Sequence, residues 1–351
     1  MKAVMDASLL TGFDAIIDAR TPAEFAEDHI PGAVSAPVLD DTERVQVGTL
    51  YKQASPFDAK KLGAALVAKN VARHIESRFA GHGKNWRPLV YCWRGGKRSG
   101  AMAHILREVG WDAHTLEGGY RAYRRWVVGE LATRPSQFRF IVVHGPTGCG
   151  KSRLLGALRR SGAQALDLEE LAVHRGSVLG NLPGRAQPSQ KLFESLLLKE
   201  LSALDPARPV FVEGESKKIG QLQVPEALIA RMRASECVRL EADTQTRVAL
   251  LLEEYRHFLE DRAGLEAQLD CLLALHGRER IDAWKALAAR GAWSEFVARL
   301  LDEHYDPAYR KSSLRNFARL AEAPALRIAS PDAQAFADAA RLLARKEPLA
   351  A

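Results

Sequence analysis

"PLVYCWRGGKRSGAMAHILREVG", residues 88–110, decides how the first part of the chain folds. Pro88 to Cys92 is a short apolar run of strand length. Ser99 to Gly110 carries apolar residues at helical spacing and stops at a glycine, a common helix terminator. Between them lies "WRGGKR", so Cys92 stands at a strand end and Arg98 six positions later, near the helix start. A strand that delivers its last residue into a glycine-rich loop opening a helix is one step of a parallel α/β sheet. Gly95 and Gly96 let backbone N–H groups turn inward as an anion nest. The helix adds the positive end of its dipole, and Arg94, Lys97 and Arg98 add charge. A thiol in such a loop loses its proton readily and becomes nucleophilic. The same cradle fits a tetrahedral oxyanion held against the sulfur.

The flanking segments continue the pattern. Residues 14–20, "DAIIDAR", read as a buried strand. "TPAEFAEDHI" (21–30) reads as a capped helix, with Thr21 at N-cap, Pro22 at N1 and Glu24 at N3. "PGAVSAPV" (31–38) turns into another strand, residues 59–80 have helical period, and "AHTLEGGY" (113–120) is a strand followed by a turn.

A second loop follows about fifty residues later. "GPTGCGKS", Gly145 to Ser152, fits G-x-x-x-x-G-K-[ST]; it follows the apolar run "FRFIVV" (138–143) and opens the helix "SRLLGALRRSG" (152–162). The expectation is a phosphate cradle in which Gly145, Thr147, Gly148 and Gly150 present backbone amides, Lys151 reaches the terminal phosphate and Ser152 binds Mg²⁺. Cys149 fills a free position of the motif. "PVFVE" (209–213) reads as a further strand, leaving Glu213 or Glu215 as a base or Mg²⁺-linked acid. From about residue 225 the spacing predicts a mostly helical remainder, over 225–234, 244–260, 265–275, 279–303 and 332–346. The expected fold class is therefore α/β throughout: a parallel α/β domain over 1–132, then a P-loop α/β domain with a helical C-terminal part over 133–351, joined at "TRPSQ" (133–137).

A chain of 351 residues suits two cores better than one. The N-terminal stretch lacks the long apolar segment of a signal peptide, and no run approaches the roughly 20 apolar residues a spanning helix needs; we expect a cytoplasmic protein with no membrane partner. The four cysteines form no C-x-x-C pair, which argues against a zinc ribbon; Cys237 and Cys271 stand among apolar residues and read as buried packing cysteines. The net charge of +7 is unevenly placed, with eight Lys/Arg against Glu76 alone between Arg73 and Arg107. Five arginines stand against Glu130 alone between Gly119 and Arg139. Basic segments flanking both loops favour a polyanionic substrate.

"DARTPAEFAEDHIPGAV" (18–34), "YCWRGGKRSG" (91–100) and "LEGGYRAY" (116–123), in that order, resemble the rhodanese domain, which carries sulfur or selenium on its loop cysteine. Phosphatases of related fold share the C-x5-R spacing, so spacing alone leaves both readings open, although no general acid stands out here. A rhodanese domain followed by "GPTGCGKS", "VEGESKKIG" (212–220) and "HYDPAY" (304–309) resembles the bacterial tRNA 2-selenouridine synthase family. That resemblance implies a tRNA substrate with 2-thiouridine at the wobble position. It implies S-geranylation by geranyl diphosphate, then replacement of the geranylthio group by selenium from selenophosphate, with a selenophosphate-producing enzyme as a possible partner. Cys92 would be catalytic, with Arg94, Gly95, Gly96, Lys97 and Arg98 binding selenophosphate. "RKSSLRNFARL" (310–320) has a composition compatible with RNA contact. The rival readings are an ATP-dependent sulfurtransferase acting on a small acceptor, a rhodanese fold fused to a nucleotide switch, and a phosphatase fused to a kinase-like domain.

Overall fold

In the computed structural model, which describes residues 10–177, 179–310, 317 and 319–345, two separate parallel sheets form. Each belongs to its own compact unit. The first unit runs to Glu130 and takes in Ser189–Lys199; the second comprises Leu131–Pro188 and resumes at Glu200. The linear division at 132/133 assigns Ser189–Lys199 to the second domain, whereas its packing is with the first. Side chains hold it there: Lys191 pairs with Glu27 at 2.6 Å, and Arg124 with Glu194.

The first sheet has the order β2 (Val34–Ser35), β1 (Ala15–Asp18), β3 (Pro88–Tyr91), β4 (His114–Thr115), all parallel. All of β3 is buried, as a central strand covered on both faces requires. After β1, α1 (Pro22–Glu27) starts with the expected capping box: the Thr21 side chain accepts from the Glu24 N–H and Glu24 accepts from the Thr21 N–H. Helices α2 (Asp41–Gln53) and α3 (Pro56–His74) follow. The sequence reading finds only the second. No residue of α2 is buried, so it carries no apolar stripe to betray it. From β3 the chain enters α4 (Lys97–Val109), which buries Met102, Ala103 and Leu106 and ends at Gly110 with φ 103°. Helix α5 (Gly119–Thr133) runs straight into a 3₁₀ turn, Arg134–Gln137, in which Pro135 is buried. The expected "TRPSQ" linker is thus a structured junction.

The second sheet has β5 (Phe140–His144) at its centre, in the order β11 (Ala325–Arg327), β10 (Glu236–Glu241), β5, β7 (Val210–Glu213), β6 (Gln164–Leu166), again all parallel. Helix α6 (Lys151–Arg160) leaves β5 and buries Leu154, Leu155 and Leu158 against the sheet. Each such leucine contributes about 1.5–3 kcal/mol of burial. Helices α7 (Leu168–Ala172), α8 (Gln190–Ala203) and α9 (Glu226–Arg233) and the hairpin β8 (Lys218–Ile219)–β9 (Leu222–Gln223) complete the connections. The expected, mostly helical remainder holds helix in each of the ranges named for it, with two strands between those ranges. β10 and β11 lie within it and pair into the sheet, because "ECVRLE" buries Cys237, Val238 and Leu240 only once β5 stands beside it. Six α-helices lie between Thr244 and Leu300. Cys237 is buried as expected, but Cys271 is exposed, while Leu269 and Leu272 beside it are buried. Most of "RKSSLRNFARL" falls outside the described residues. No described helix is long and apolar enough to cross a membrane.

Candidate active sites

Both candidate loops sit at the carboxyl ends of parallel strands, where open α/β sheets present their ligand sites. In the first, Cys92 follows β3 and is 3% exposed. Burial alone would push its thiol up. The Ser99 hydroxyl, 3.2 Å away, donates to the sulfur, and the backbone N–H groups of Ser99, Gly96 and Arg94 face it; together they bring the thiol below its usual range. The nest therefore exists, and its donors are amides and a serine hydroxyl rather than guanidinium groups. Arg94 and Lys97 are exposed at the loop rim. Arg98 turns to Glu24, with a 2.6 Å ion pair that ties α4 to the start of α1.

The loop is braced from behind by "EGGY". The Tyr120 N–H donates to the Cys92 carbonyl and the Arg121 N–H to that of Trp93, at 2.9 and 3.1 Å. Gly119 has φ 55°, and a Cβ there would lie 2.2 Å from the Cys92 oxygen and 2.4 Å from the Gly95 nitrogen. Only glycine permits that approach. Beneath it lies a buried polar knot. Arg20 pairs with Asp18 at 2.6 Å, donates to the Asp28 carbonyl, and stacks 4.0 Å from the centre of the Tyr120 ring; the Tyr120 hydroxyl donates to Asp28. The D-x-R stretch thus supports the tyrosine that supports the thiol loop.

In the second loop, Gly150 caps α6 with φ 78°, and a Cβ there would meet the Phe336 ring at 2.5 Å. Lys151 donates to the Gly145 carbonyl at 3.3 Å, folding its charge over the loop. Arg247 holds the loop from outside. Its Nε donates to the Thr147 carbonyl, and its two terminal nitrogens grip both carboxylate oxygens of Asp306 at 2.6 and 2.9 Å. Asp306 is the acid of "HYDPAY", so that stretch has a mechanical tie to the loop. Cys149 is wholly buried and burial raises its thiol, making it a packing residue.

The loop opens on a cavity of about 1070 Å³ that also takes in Glu169, Glu215 and the arginines Arg153, Arg159, Arg160, Arg175 and Arg185. Glu169 is the acid that sequence reasoning missed. Burial first, and then the neighbouring Glu215, push its carboxyl up to about 8, against the pull of Lys151. Its Oε2 accepts from the Ser152 hydroxyl at 3.3 Å. Burial also raises Glu215. Glu213 is different. It is fully buried, does not line the cavity, and accepts the Glu169 N–H at 2.8 Å. It shapes the acidic wall, while Glu215 and Glu169 present it. The available signal was "DLEE" (167–170), an acidic run directly after β6. Among the described residues no group of three His, Cys, Asp or Glu is arranged to hold a metal ion. Ser152 and the carboxylates of Glu169 and Glu215 are the cavity groups that could hold an Mg²⁺ whose shell substrate oxygens and water complete.

Residues 3–125 match the rhodanese-like domain, and residues 138–272 match a family described as tRNA 2-selenouridine synthase AAA domain. Two relatives named tRNA 2-selenouridine synthase match over nearly their full length. The Shewanella halifaxensis protein is 32% identical across 84% of this chain and 87% of its own, and the Alcanivorax borkumensis protein 33% identical across 86% and 90%. The chain belongs to the tRNA 2-selenouridine synthase family. A third protein of that name, from Nitrosomonas europaea, is 36% identical across 68% of this chain and 63% of its own.

For a tRNA 2-selenouridine synthase family member, the sequence-predicted residues fall into two groups. Cys92, Arg94, Gly95, Gly96, Lys97 and Arg98 are one contiguous loop and helix start in the first unit. Gly145, Thr147, Gly148, Gly150, Lys151, Ser152 and Glu215 line one cavity in the second. Ser99, the next residue after Arg98, joins the first group, and Glu169 and Arg247 join the second only through the fold.

Proposed function

We propose that this protein converts wobble 2-thiouridine in tRNA to 2-selenouridine, and that its two loops serve successive half-reactions. In the first, the 2-thiouridine sulfur attacks C1 of geranyl diphosphate. The C–S bond forms, the C1–O bond breaks with its electron pair on the diphosphate, and the N3 proton passes to a base. Lys151 and the amides of residues 145–152 hold the diphosphate and take up its growing charge. Ser152, with Glu169 or Glu215, would hold Mg²⁺, whose chemistry is to neutralise the leaving diphosphate.

In the second half-reaction selenium adds to C2 and geranylthiol departs. Water attacks the phosphorus of selenophosphate, the P–Se bond breaks with its electron pair on selenium, one phosphate is released and N3 regains its proton. Alkylation turns a poor leaving group into a thiol. The Cys92 nest, with Arg94 and Lys97 at its rim, handles the selenium donor, which a separate enzyme supplies. The arginines around the phosphate cavity and the basic segments engage the tRNA backbone. An anticodon-loop base is already unpaired and accessible. The reading places the reaction in the cytoplasm.

The observation that carries this reading is the presence, in one chain of this family, of a thiol held below its usual range in an anion nest and a phosphate loop facing buried carboxylates. The experiment is mass spectrometry of wobble uridines from cells lacking the protein and complemented with variants. Wild type should yield 2-selenouridine, Cys92→Ala should accumulate geranylated 2-thiouridine, and Lys151→Ala should yield neither. If wild type leaves 2-thiouridine unchanged while selenium is available, the tRNA reading fails and ATP-dependent sulfur transfer becomes the one to test.

A further inference from the structure

Beside the phosphate cavity the second unit contains another, lined almost entirely by hydrocarbon. Thr147, Leu251, Tyr255 and Tyr305 line both, so the two cavities share a wall at the phosphate loop. Away from that wall the lining comes from Phe258, Leu265, Trp293, Phe296 and Leu300. Four of these five are buried members of one hydrophobic cluster, and Trp293 packs against it. Leu251 and Leu301 belong to a second cluster, and Tyr255, Val297 and Tyr305 pack against both, so the cavity lies where the two cores meet.

An unfilled apolar gap costs stability in proportion to its volume. Here the gap adjoins a phosphate cradle, which says what it is for. Its polar lining atoms are few: the Thr147 hydroxyl and the Tyr255 and Tyr305 hydroxyls belong to the shared-wall residues, Tyr255 is already engaged with Ser177, and Trp293 adds one indole N–H. A purine brought into this lining would leave several donors and acceptors unmatched, each a substantial penalty. The open volume is about 50 Å³, room for only a few methylenes, so a longer chain enters as the side chains of the lining part around it. A ligand matching both cavities has an anionic phosphate head and an unbranched or methyl-branched hydrocarbon tail.

We propose that this cavity seats the hydrocarbon chain of a prenyl diphosphate, and that Phe258, Leu265, Trp293, Phe296 and Leu300 set the chain length it accepts. The proposal rests on the reading that the phosphate loop holds a prenyl diphosphate. That reading does not say where the chain lies or what limits it.

The test uses the full chain and a thiolated tRNA, with dimethylallyl, geranyl and farnesyl diphosphates in competition and products identified by mass spectrometry. Leu265→Trp fills the slot. It should lower geranyl transfer relative to dimethylallyl by about tenfold or more, burial of the extra hydrocarbon being lost, while affinity for inorganic pyrophosphate stays as in wild type. Phe258→Ala enlarges the slot and should raise the farnesyl-to-geranyl product ratio by about tenfold. If wild type transfers geranyl but both variants keep its chain-length ratios, the cavity is wrongly assigned and the phosphate-loop reading survives. If wild type transfers none of the three groups, the reading itself falls and this assignment with it. Should Leu265→Trp not fold, the ratio shown by Phe258→Ala decides alone.

Discussion

The Ser99 hydroxyl lies 3.2 Å from the Cys92 sulfur and donates a hydrogen bond to it. Ser99 stands in the first turn of α4, so the helix that aims its amides at the sulfur also supplies a side-chain donor. This donor favours the thiolate over the thiol. In Ser99→Ala the thiol pKa should therefore rise, and alkylation by iodoacetamide should begin at a higher pH than in wild type. The measurement is modification rate against pH by mass spectrometry. Equal profiles would leave the backbone amides as sufficient cause.

Gly119 and Gly129 make a matched pair. Gly119→Ala puts a Cβ into the Cys92 carbonyl at a positive φ, and should destabilise by more than about 1 kcal/mol while slowing Cys92 alkylation. Gly129→Ala, exposed in α5 with nothing within 4 Å of the new methyl, should stabilise by about 0.5–1 kcal/mol. Urea denaturation separates the two.

Arg20→Ala leaves Asp18 charged and unpaired, since both side chains are essentially unexposed. The expected cost is about 3–5 kcal/mol, seen as a lower urea midpoint. Tyr120 also loses its stacked guanidinium, so Cys92 alkylation should slow in the same variant under native conditions.

Arg247→Ala severs the Gly145–Ser152 loop from Asp306 while leaving every residue proposed to hold the diphosphate in the sequence. Calorimetric titration should show weaker binding of inorganic pyrophosphate, by about tenfold, a charge-assisted restraint on the loop being worth about 1.5–3 kcal/mol. Asp306→Asn, which keeps the shape and one acceptor, should fall between wild type and Arg247→Ala.

Much of this was legible from residue order. The capping box at Thr21, the strand ending at Cys92, Gly110 as terminator of α4 and the strand–loop–helix context of Lys151 all rest on neighbours within about one turn. Helix α2 was not legible because it buries nothing, and β10 was not because its pairing partner is nearly a hundred residues away. Cys271 illustrates the converse: apolar neighbours in sequence did not bury it.

By itself the sequence determined the two loops, their order and the strands that deliver them, because a nest or a phosphate cradle is built from consecutive amides and glycines. Only the tertiary structure decided what surrounds them. Ser99 rather than Arg98 reaches the sulfur, since Arg98 is claimed by Glu24 in another helix. Glu169 joins Glu215 in the cavity while Glu213 is walled in behind it. Buried electrostatics depend on which groups the fold excludes from water, and that is a property of packing among distant segments.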